Sequence, residues 1–395
     1  MPQNLARART FNWIGLLPRG LTGLESPPMT TRPDTEHYRE LFLNDVPMMD
    51  MRAPVEFNKG AFPCSENIPL LDDQQREAVG TCYKKKGQDA AIELGWQLAT
   101  PEIREQRIAA WQDFIQRHPE GYLYCFRGGL RSRLSQQLVG EAGTDYPLVK
   151  GGYKAMRRFL IDELDQQCET LPLTLVSGRT GSGKTLVIHE LAHALNLEGL
   201  ANHRGSAFGR QIQAQPSQID FENSLSIAVM KQCAQHRQPI FAEDEGRMIG
   251  GVTLPMHFIE LMQKSPLAVL ETPIAERIDI VLADYITEAY PQYSATFGEE
   301  EGAEKFREQI LGNLSRIRKR LGGERFTQLH GEFSEALETL IKHKDAGGFR
   351  AGIEMLLTDY YDPMYDYQQG QRDGRVVFRG ERAELLQWAE AYSMA

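Results

Sequence analysis

The chain has 395 residues, enough for two domains, with apolar and charged fractions of 41% and 25% that are ordinary for a globular protein. No apolar run approaches the roughly 20 residues that span a bilayer, and the formal net charge of −10 argues against a uniformly basic nucleic-acid binder while leaving local cationic patches open. Five cysteines, an odd number without paired spacing, argue against a disulfide framework or a zinc site and predict a reduced, cytoplasmic setting.

The N-terminal stretch MPQNLARARTFNWIGLLPRGLTGLESPP is basic but lacks a continuous apolar core and a small-residue cleavage site, so it does not read as a signal peptide. Its poor periodicity predicts a disordered extension over residues 1–33, with Met29 as a candidate functional start. Short apolar strands then alternate with helices. Val46–Arg52 reads as a strand and NIPL as a second extended piece, while AAIELGWQLAT and EIREQRIAAWQDFIQRH have helical spacing. GYLYC reads as a strand and SRLSQQLVGEAG as a helix ended by Gly143. YPLVKGGY reads as a further strand leading into the helix KAMRRFLIDELDQQC. This alternation predicts a parallel α/β domain over residues 34–165.

Cys125 stands at the end of the GYLYC strand, followed by FRGGLRS. Such a loop can aim backbone N–H groups at the sulfur, and the next helix points its N-terminus at the same place. Arg127 and Arg131 add positive charge, and all of these favour thiolate over thiol. Two chemistries use that design. One carries sulfur or selenium as an adduct on cysteine; the other removes phosphate, since Cys125 to Arg131 has the C-x5-R spacing of cysteine phosphatases. Cys82 lies beside a basic run and is a weaker candidate. Cys64, Cys168 and Cys233 read as small apolar residues.

A second α/β unit, a P-loop domain over residues 170–300, begins at PLTLVSGRTGSGKTLVIHELAHAL. Leu171–Val176 reads as a buried strand, with an amphipathic helix after it. Between them Gly178, Arg179, Thr180, Gly181, Ser182, Gly183, Lys184 and Thr185 fill every position of G-x-x-x-x-G-K-[ST]. The glycines let N–H groups turn inward, Lys184 supplies a point charge for a terminal phosphate, and the Thr185 hydroxyl is a candidate Mg²⁺ ligand. An acidic partner is expected at a later strand end, and QPIFAEDEGRM offers Asp244 as the second Mg²⁺ ligand, with Glu243 close behind. A P-loop does not say which molecule carries the phosphate. Beyond Glu299 the chain reads as a mainly helical C-terminal region, 301–395, with one strand signal in RVVFRG.

The basic clusters are scattered. Lys84, Lys85, Arg157, Arg158, His203 and Arg204 are the RNA-binding candidates nearest the two motifs, followed by Arg316, Arg318, Lys319 and Arg320. Tyr83, Tyr153 and Phe208 are candidate stacking platforms for an unpaired base.

The stretches DMRAPVEFNKGAFPCSENIPL, CFRGGLRS and LVKGGYKAMRR resemble the rhodanese-like domain, with Asp50, Arg52, Glu56, Gly60, Asn67 and Pro69 matching its first signature. The whole order, a rhodanese-like domain before a P-loop domain, resembles the bacterial tRNA 2-selenouridine synthases over about residues 34–390. AVGTCYKKKGQDAAIELG, LEGLANHRGSAFGR, EDEGRMIG and YYDPMYDYQ add to that resemblance. It implies exchange of sulfur for selenium in 2-thiouridine at the tRNA wobble position. The sulfur is first alkylated from geranyl diphosphate, then replaced by selenium from selenophosphate carried on Cys125. It also implies tRNAs with Lys, Glu and Gln type anticodons, and a selenophosphate-producing enzyme as a possible partner. Counting Cys125 to Arg131 gives a loop of seven residues, the length of the phosphatase relatives and longer than that of the sulfur carriers. The alternative from another class is a P-loop kinase, or a nucleotide-regulated cysteine phosphatase or sulfurtransferase.

Overall fold

β1 (Met48–Asp50), β2 (Ser65–Asn67) and β3 (Tyr122–Tyr124) form a three-stranded parallel sheet in the order β2–β1–β3, with Met48 opposite both Ser65 and Tyr122. β1 is buried along its whole length, as a central parallel strand covered on both faces must be. The structure, a computed structural model, describes residues 32–235, 239–370 and 373–394. Most of the extension expected over 1–33, Met29 included, lies outside these residues. Arg32, at its end, is anchored: its guanidinium donates to the carbonyls of Pro119, Glu120 and Gly121 and lies 4.8 Å from the Tyr122 ring centroid.

The second sheet takes five strands in parallel. In chain order the elements are β4 (Leu173–Ser177), β5 (Ala194–Leu195), β6 (Ile240–Glu243), the short antiparallel pair β7 (Met248–Ile249) and β8 (Val252–Thr253), β9 (Leu267–Leu270) and β10 (Val376–Gly380). The sheet order is β10–β9–β4–β6–β5. Two parallel sheets with helical crossovers make the chain α/β, as the strand–helix alternation predicts.

Several elements differ from expectation. YPLVKGGY forms no strand of its own; it makes only single bridges, Leu148 to Leu123 and Val149 to Thr35. The helix after the P-loop is short, Lys184–Glu190, and AL of LAHAL is the edge strand β5 instead of more helix. A helix over Asp73–Lys86, capped by the Asp72 carboxylate on the Gln75 N–H, carries the YKKK run in its last turn.

The segment boundaries drawn from sequence are crossed by packing. The helix Gly152–Cys168 buries Met156 and Leu160 in the first core and Leu164 in the second. RVVFRG becomes β10, an edge of the P-loop sheet, and the helix Arg382–Met394 packs Leu385 and Ala389 against Val176, Phe241 and Ala268. The remainder of the C-terminal region is helical as expected, with Phe306, Leu314, Leu329, Phe333 and Leu337 in its core.

Candidate active sites

Cys125 follows β3 and is 3% exposed. Its carbonyl accepts the Tyr153 N–H at 2.9 Å, and the Phe126 carbonyl accepts the Lys154 N–H at 2.9 Å. FRGG and KGG thereby interlock backbone on backbone. Gly128 (φ +60°) leaves no room for a Cβ, which would sit 2.7 Å from the Gly151 N, and a Cβ on Gly152 (φ +59°) would collide with the Cys125 carbonyl. The helix Leu130–Glu141 then starts at Gly129 with no side-chain cap, so its first-turn N–H groups remain available at the loop.

The first signature builds the support for this loop. Asp50 and Arg52 are a buried pair, with Arg52 Nε 2.9 Å and NH2 2.6 Å from Asp50 Oδ2. Arg52 also donates to the carbonyls of Glu56 and Gly60, and its guanidinium lies 3.7 Å from the Tyr153 ring centroid. The Asn67 amide donates to the carbonyls of Asp50 and Arg52. Glu56 takes Arg131, at 2.6 and 3.2 Å. Burial works against the Glu56 charge, but the Arg131 guanidinium outweighs it and holds the carboxyl below its ordinary range. Arg131 is therefore a paired strut of the loop, not the free cation expected beside the thiol. Arg127 is exposed, with its guanidinium 5.9 Å from the Phe126 ring centroid. Burial pushes the Cys64 thiol up to about 11 and the Cys168 thiol up to about 12, and all five cysteines are free.

At the end of β4, Gly178–Gly183 wraps a loop in which Gly181 (φ +76°) and Gly183 (φ +83°) take left-handed conformations. Lys184 Nζ lies 3.0 Å from the Gly178 carbonyl, folded back over the loop. Arg277, almost fully buried, donates to the Thr180 carbonyl at 3.0 Å and pairs bidentately with Asp362. Arg179 pairs with Asp366. The stretch YYDPMYDYQ thus lies against the phosphate loop.

The carboxylates around Lys184 are denser than expected. Asp244 accepts from the Ser177 hydroxyl at 2.7 Å, while Thr185 Oγ1 donates to Glu198 Oε2 at 3.0 Å. The two candidate Mg²⁺ ligands therefore engage different partners. Glu243 is fully buried; its Oε2 accepts the Leu197 N–H at 2.7 Å and its Oε1 has no hydrogen-bond partner. Burial pushes Glu243 up to about 7, and burial with the charges of Glu198, Glu243 and Asp244 pushes Glu245 up to about 8, against the pull of Lys184. Among the described residues no group of three His, Cys, Asp or Glu is placed to hold a metal ion.

Thr180 of the loop is also one wall of an apolar cavity that sequence reasoning did not locate. Phe208, Val281, Tyr285, Phe333 and Tyr361 form much of the rest, and Ser206 bonds Tyr285 there at 2.8 Å. Two π-helical turns, Ala283–Thr287 and Leu357–Tyr361, contribute walls; such turns are frequent at functional sites.

The RNA candidates divide. Lys84, Lys85 and Arg158 are exposed, Arg158 paired with Asp162. Arg157 is instead bound to Asn223 and Glu222, and Arg204 to the Asp284 carbonyl with its guanidinium 5.1 Å from the Tyr285 ring centroid. Burial holds His203 below its ordinary pKa, despite Glu198, so it is no cation near neutral pH. Arg316, Arg318, Lys319 and Arg320 are exposed at the end of the helix Glu299–Leu321. Tyr153 is buried under Arg52 and Phe208 lines the apolar cavity, which removes both as base platforms; Tyr83 is exposed.

Glu198, Arg277 and Asp362 were not singled out from sequence. Their only signal was membership of LEGLANHRGSAFGR and YYDPMYDYQ for two of them, and Arg277 carried none.

Residues 171–395 match the family described as the tRNA 2-selenouridine synthase AAA domain. Over the whole chain, a tRNA 2-selenouridine synthase of Marinobacter nauticus is 54% identical over 363 residues, covering 92% of this chain and 99% of its own. One of Pseudomonas entomophila is 48% identical, covering 91% and 97%. One of Photobacterium profundum is 48% identical, covering 90% and 98%.

Proposed function

The chain belongs to the tRNA 2-selenouridine synthase family, and from that premise we propose that it is a two-centre enzyme that converts 2-thiouridine at the tRNA wobble position to 2-selenouridine. Alkylation takes place at the P-loop and selenation at Cys125. The observation that carries this division is the phosphate cradle whose own Thr180 walls an apolar cavity. A prenyl diphosphate, an anion on a tail with no polar group, calls for such a neighbour along its whole tail.

In the first step the thiocarbonyl sulfur attacks the terminal carbon of geranyl diphosphate. The C–S bond forms, the C–O bond breaks, diphosphate leaves with the electron pair, and the N3 proton of the base passes to solvent. Lys184 and the inward N–H groups of Gly178–Thr185 accept the growing charge. The partnerless Oε1 of Glu243 is the acceptor here that a cation would satisfy; Mg²⁺, with Thr185 and Asp244 as proposed ligands once released from Glu198 and Ser177, would screen the diphosphate when bound. In the second step the Cys125 thiolate attacks the phosphorus of selenophosphate. The S–P bond forms as the P–Se bond breaks, and hydrogen selenide leaves with the electron pair and bonds to C2 as the C2–S bond breaks. N3 regains a proton, and water later cleaves the S–P bond to give phosphate. Geranylthiolate leaves with the electron pair. Alkylation makes this possible, because an unmodified thiocarbonyl sulfur is a poor leaving group. In this reading the first domain is rhodanese-like, and the seven-residue loop from Cys125 to Arg131 admits a phosphate-bearing donor that a shorter loop rejects. The substrates are cytoplasmic tRNAs with Lys, Glu and Gln type anticodons, and the donor comes from a selenophosphate-producing enzyme.

The two steps can be assayed apart on an anticodon stem-loop. Lys184→Ala should lower alkylation by at least about tenfold, the loss of one charge-assisted contact, and leave selenation of a pre-alkylated stem-loop intact. Cys125→Ala should do the reverse. Normal alkylation in the first variant, or loss of both steps in a folded Cys125→Ala protein, would refute the division. Nucleotide hydrolysis or Cys125-dependent phosphatase activity without RNA would favour the kinase or phosphatase alternative.

A further inference from the structure

A second apolar cavity, of about 130 Å³, lies in the first domain on the side of the Cys125 loop. Its walls come from the helices Asp73–Lys86, Gln88–Leu98, Pro101–Arg117 and Leu130–Glu141, among them Leu70, Val79, Ala91, Leu134 and Leu138. Its connection to the thiol runs through shared packing. Leu130 and Arg131 of the loop end line it, and its wall residues Leu70, Trp111 and Leu138 share one packed cluster with Cys125. Most of its lining side chains are apolar, and an engineered apolar cavity of about 150 Å³ holds a benzene-sized group. At its edge Tyr83 is 57%, Trp96 40% and Leu130 43% exposed, three of the nine large apolar side chains exposed among the described residues.

The wall also holds unpaired cationic N–H groups. Arg104 Nε and Arg107 NH1 are buried without hydrogen-bond partners, an arrangement that costs free energy unless a ligand supplies acceptors. An occupant that is only apolar leaves both unsatisfied. An apolar chain attached to an anion satisfies them.

Resting on the two-centre reading above, we infer that this cavity is the acceptor-side alkyl site of the selenation step. It holds about one isoprene unit of the geranyl chain of S-geranyl-2-thiouridine, the rest of the chain lying along Tyr83, Trp96 and Leu130 at its edge, with Arg104 and Arg107 receiving the RNA phosphate beside that nucleotide. The enzyme then has two apolar sites, one beside each centre: the cavity at Thr180 for the alkyl donor, and this one for the alkylated RNA. The second site sets C2 of the base before Cys125 and gives geranylthiolate a place to leave to.

Gly95 provides the test, because it lines the cavity and a Cβ there meets only Val79, at 3.9 Å. Gly95→Phe fills the cavity from a helix face without backbone strain; Trp96→Ala, at a part-exposed position, removes a wall with little risk to folding. Selenation is measured on anticodon stem-loops carrying S-geranyl- or S-methyl-2-thiouridine, and alkylation on the 2-thiouridine stem-loop. Both variants should raise KM for the S-geranyl RNA by roughly tenfold, the loss of about two buried methylenes. They should leave selenation of S-methyl RNA and the alkylation step unchanged. Quenching of tryptophan fluorescence by S-geranyl RNA, and not by S-methyl RNA, should appear in wild type and weaken in Trp96→Ala. Unchanged KM for S-geranyl RNA in both variants, or equal loss on both RNAs, overturns the inference, as does a wild-type dimer that Gly95→Phe converts to monomer. If wild type neither alkylates the 2-thiouridine stem-loop nor selenates the S-geranyl one, the two-centre reading fails instead.

Discussion

Glu243 ends β6 with one carboxylate oxygen on the Leu197 N–H and the other on nothing. Burial pushes it up to about 7, from an ordinary 4.5. A carboxyl with a raised folded-state pKa binds its proton more tightly folded than unfolded. Stability therefore falls as pH rises from the unfolded pKa through about 7, and is flat above it. Glu245, up to about 8, extends the fall in the same direction. Glu243→Gln keeps an acceptor for Leu197 but has no charge to expel. Its melting temperature should decline less than that of wild type between about pH 5 and pH 8. The relief amounts to roughly 3 kcal/mol at the alkaline end if the full shift is realised. A thermal-shift series with parallel slopes would show that the strain is absent. The ligand-free protein tolerates this cluster because Lys184 sits within its field; a bound cation would tolerate it better.

At the scale of elements, the thiol loop and the helix Gly152–Cys168 form one unit. Gly152 has φ +59°, and a side chain there would meet the Cys125 carbonyl and the Gly128 N at once. Gly152→Ala should cost about 1–3 kcal/mol, the usual strain of a non-glycine residue in that region, read from urea denaturation. Selenation should fall further than the folded fraction, because the substitution displaces Cys125 itself. Alkylation at the P-loop should track the folded fraction only. FRGG and LVKGGY each suggest a turn by themselves. That they are two halves of one lock follows only from their contact.

Across the whole molecule, the helix Gln218–Gln235 lies between the two sheets and is bonded to both sides. Asn223, fully buried, donates to the Ala61 carbonyl at 2.6 Å and accepts from Arg157 at 2.9 Å. Asp220 takes the Ala61 N–H, and Ser226 donates to the Leu160 carbonyl. Ile227 and Met230 pack with Met48 and Phe42 of the first core, while Phe221, Leu225 and Val229 pack in the second. A seam so apolar and so fully bonded couples the units, and wild type should melt in a single calorimetric transition. Asn223→Ala leaves the Ala61 carbonyl without its partner, at about 1–3 kcal/mol, and leaves Arg157 with Glu222 alone. It should lower the melting temperature and separate the transition into two. A single, merely shifted peak would mean that apolar packing alone holds the seam.

The chemistry-bearing turns were legible in the sequence because each is built from contiguous residues. A strand, a glycine turn and a helix start are fixed by backbone sterics over a few residues, so Gly178–Thr185 and the Cys125 loop could be placed from spacing alone. What the cations do was not legible. Arg131 stands beside the thiol in sequence yet is held by Glu56, Arg157 is turned into the seam by Asn223, and Arg204 is turned inward onto Asp284. A charge takes the nearest opposite dipole in space, and chain separation says nothing of that distance. The cavities are the same case. One gathers Thr180, Phe208, Tyr285, Phe333 and Tyr361, the other Leu70, Ala91, Trp111 and Leu134; in sequence Thr180 belongs to the phosphate motif, Phe208 reads as a stacking platform, and the rest are ordinary core residues. Only the tertiary structure decides which apolar side chains fill space and which leave it open, because a void is a property of how helices fail to meet.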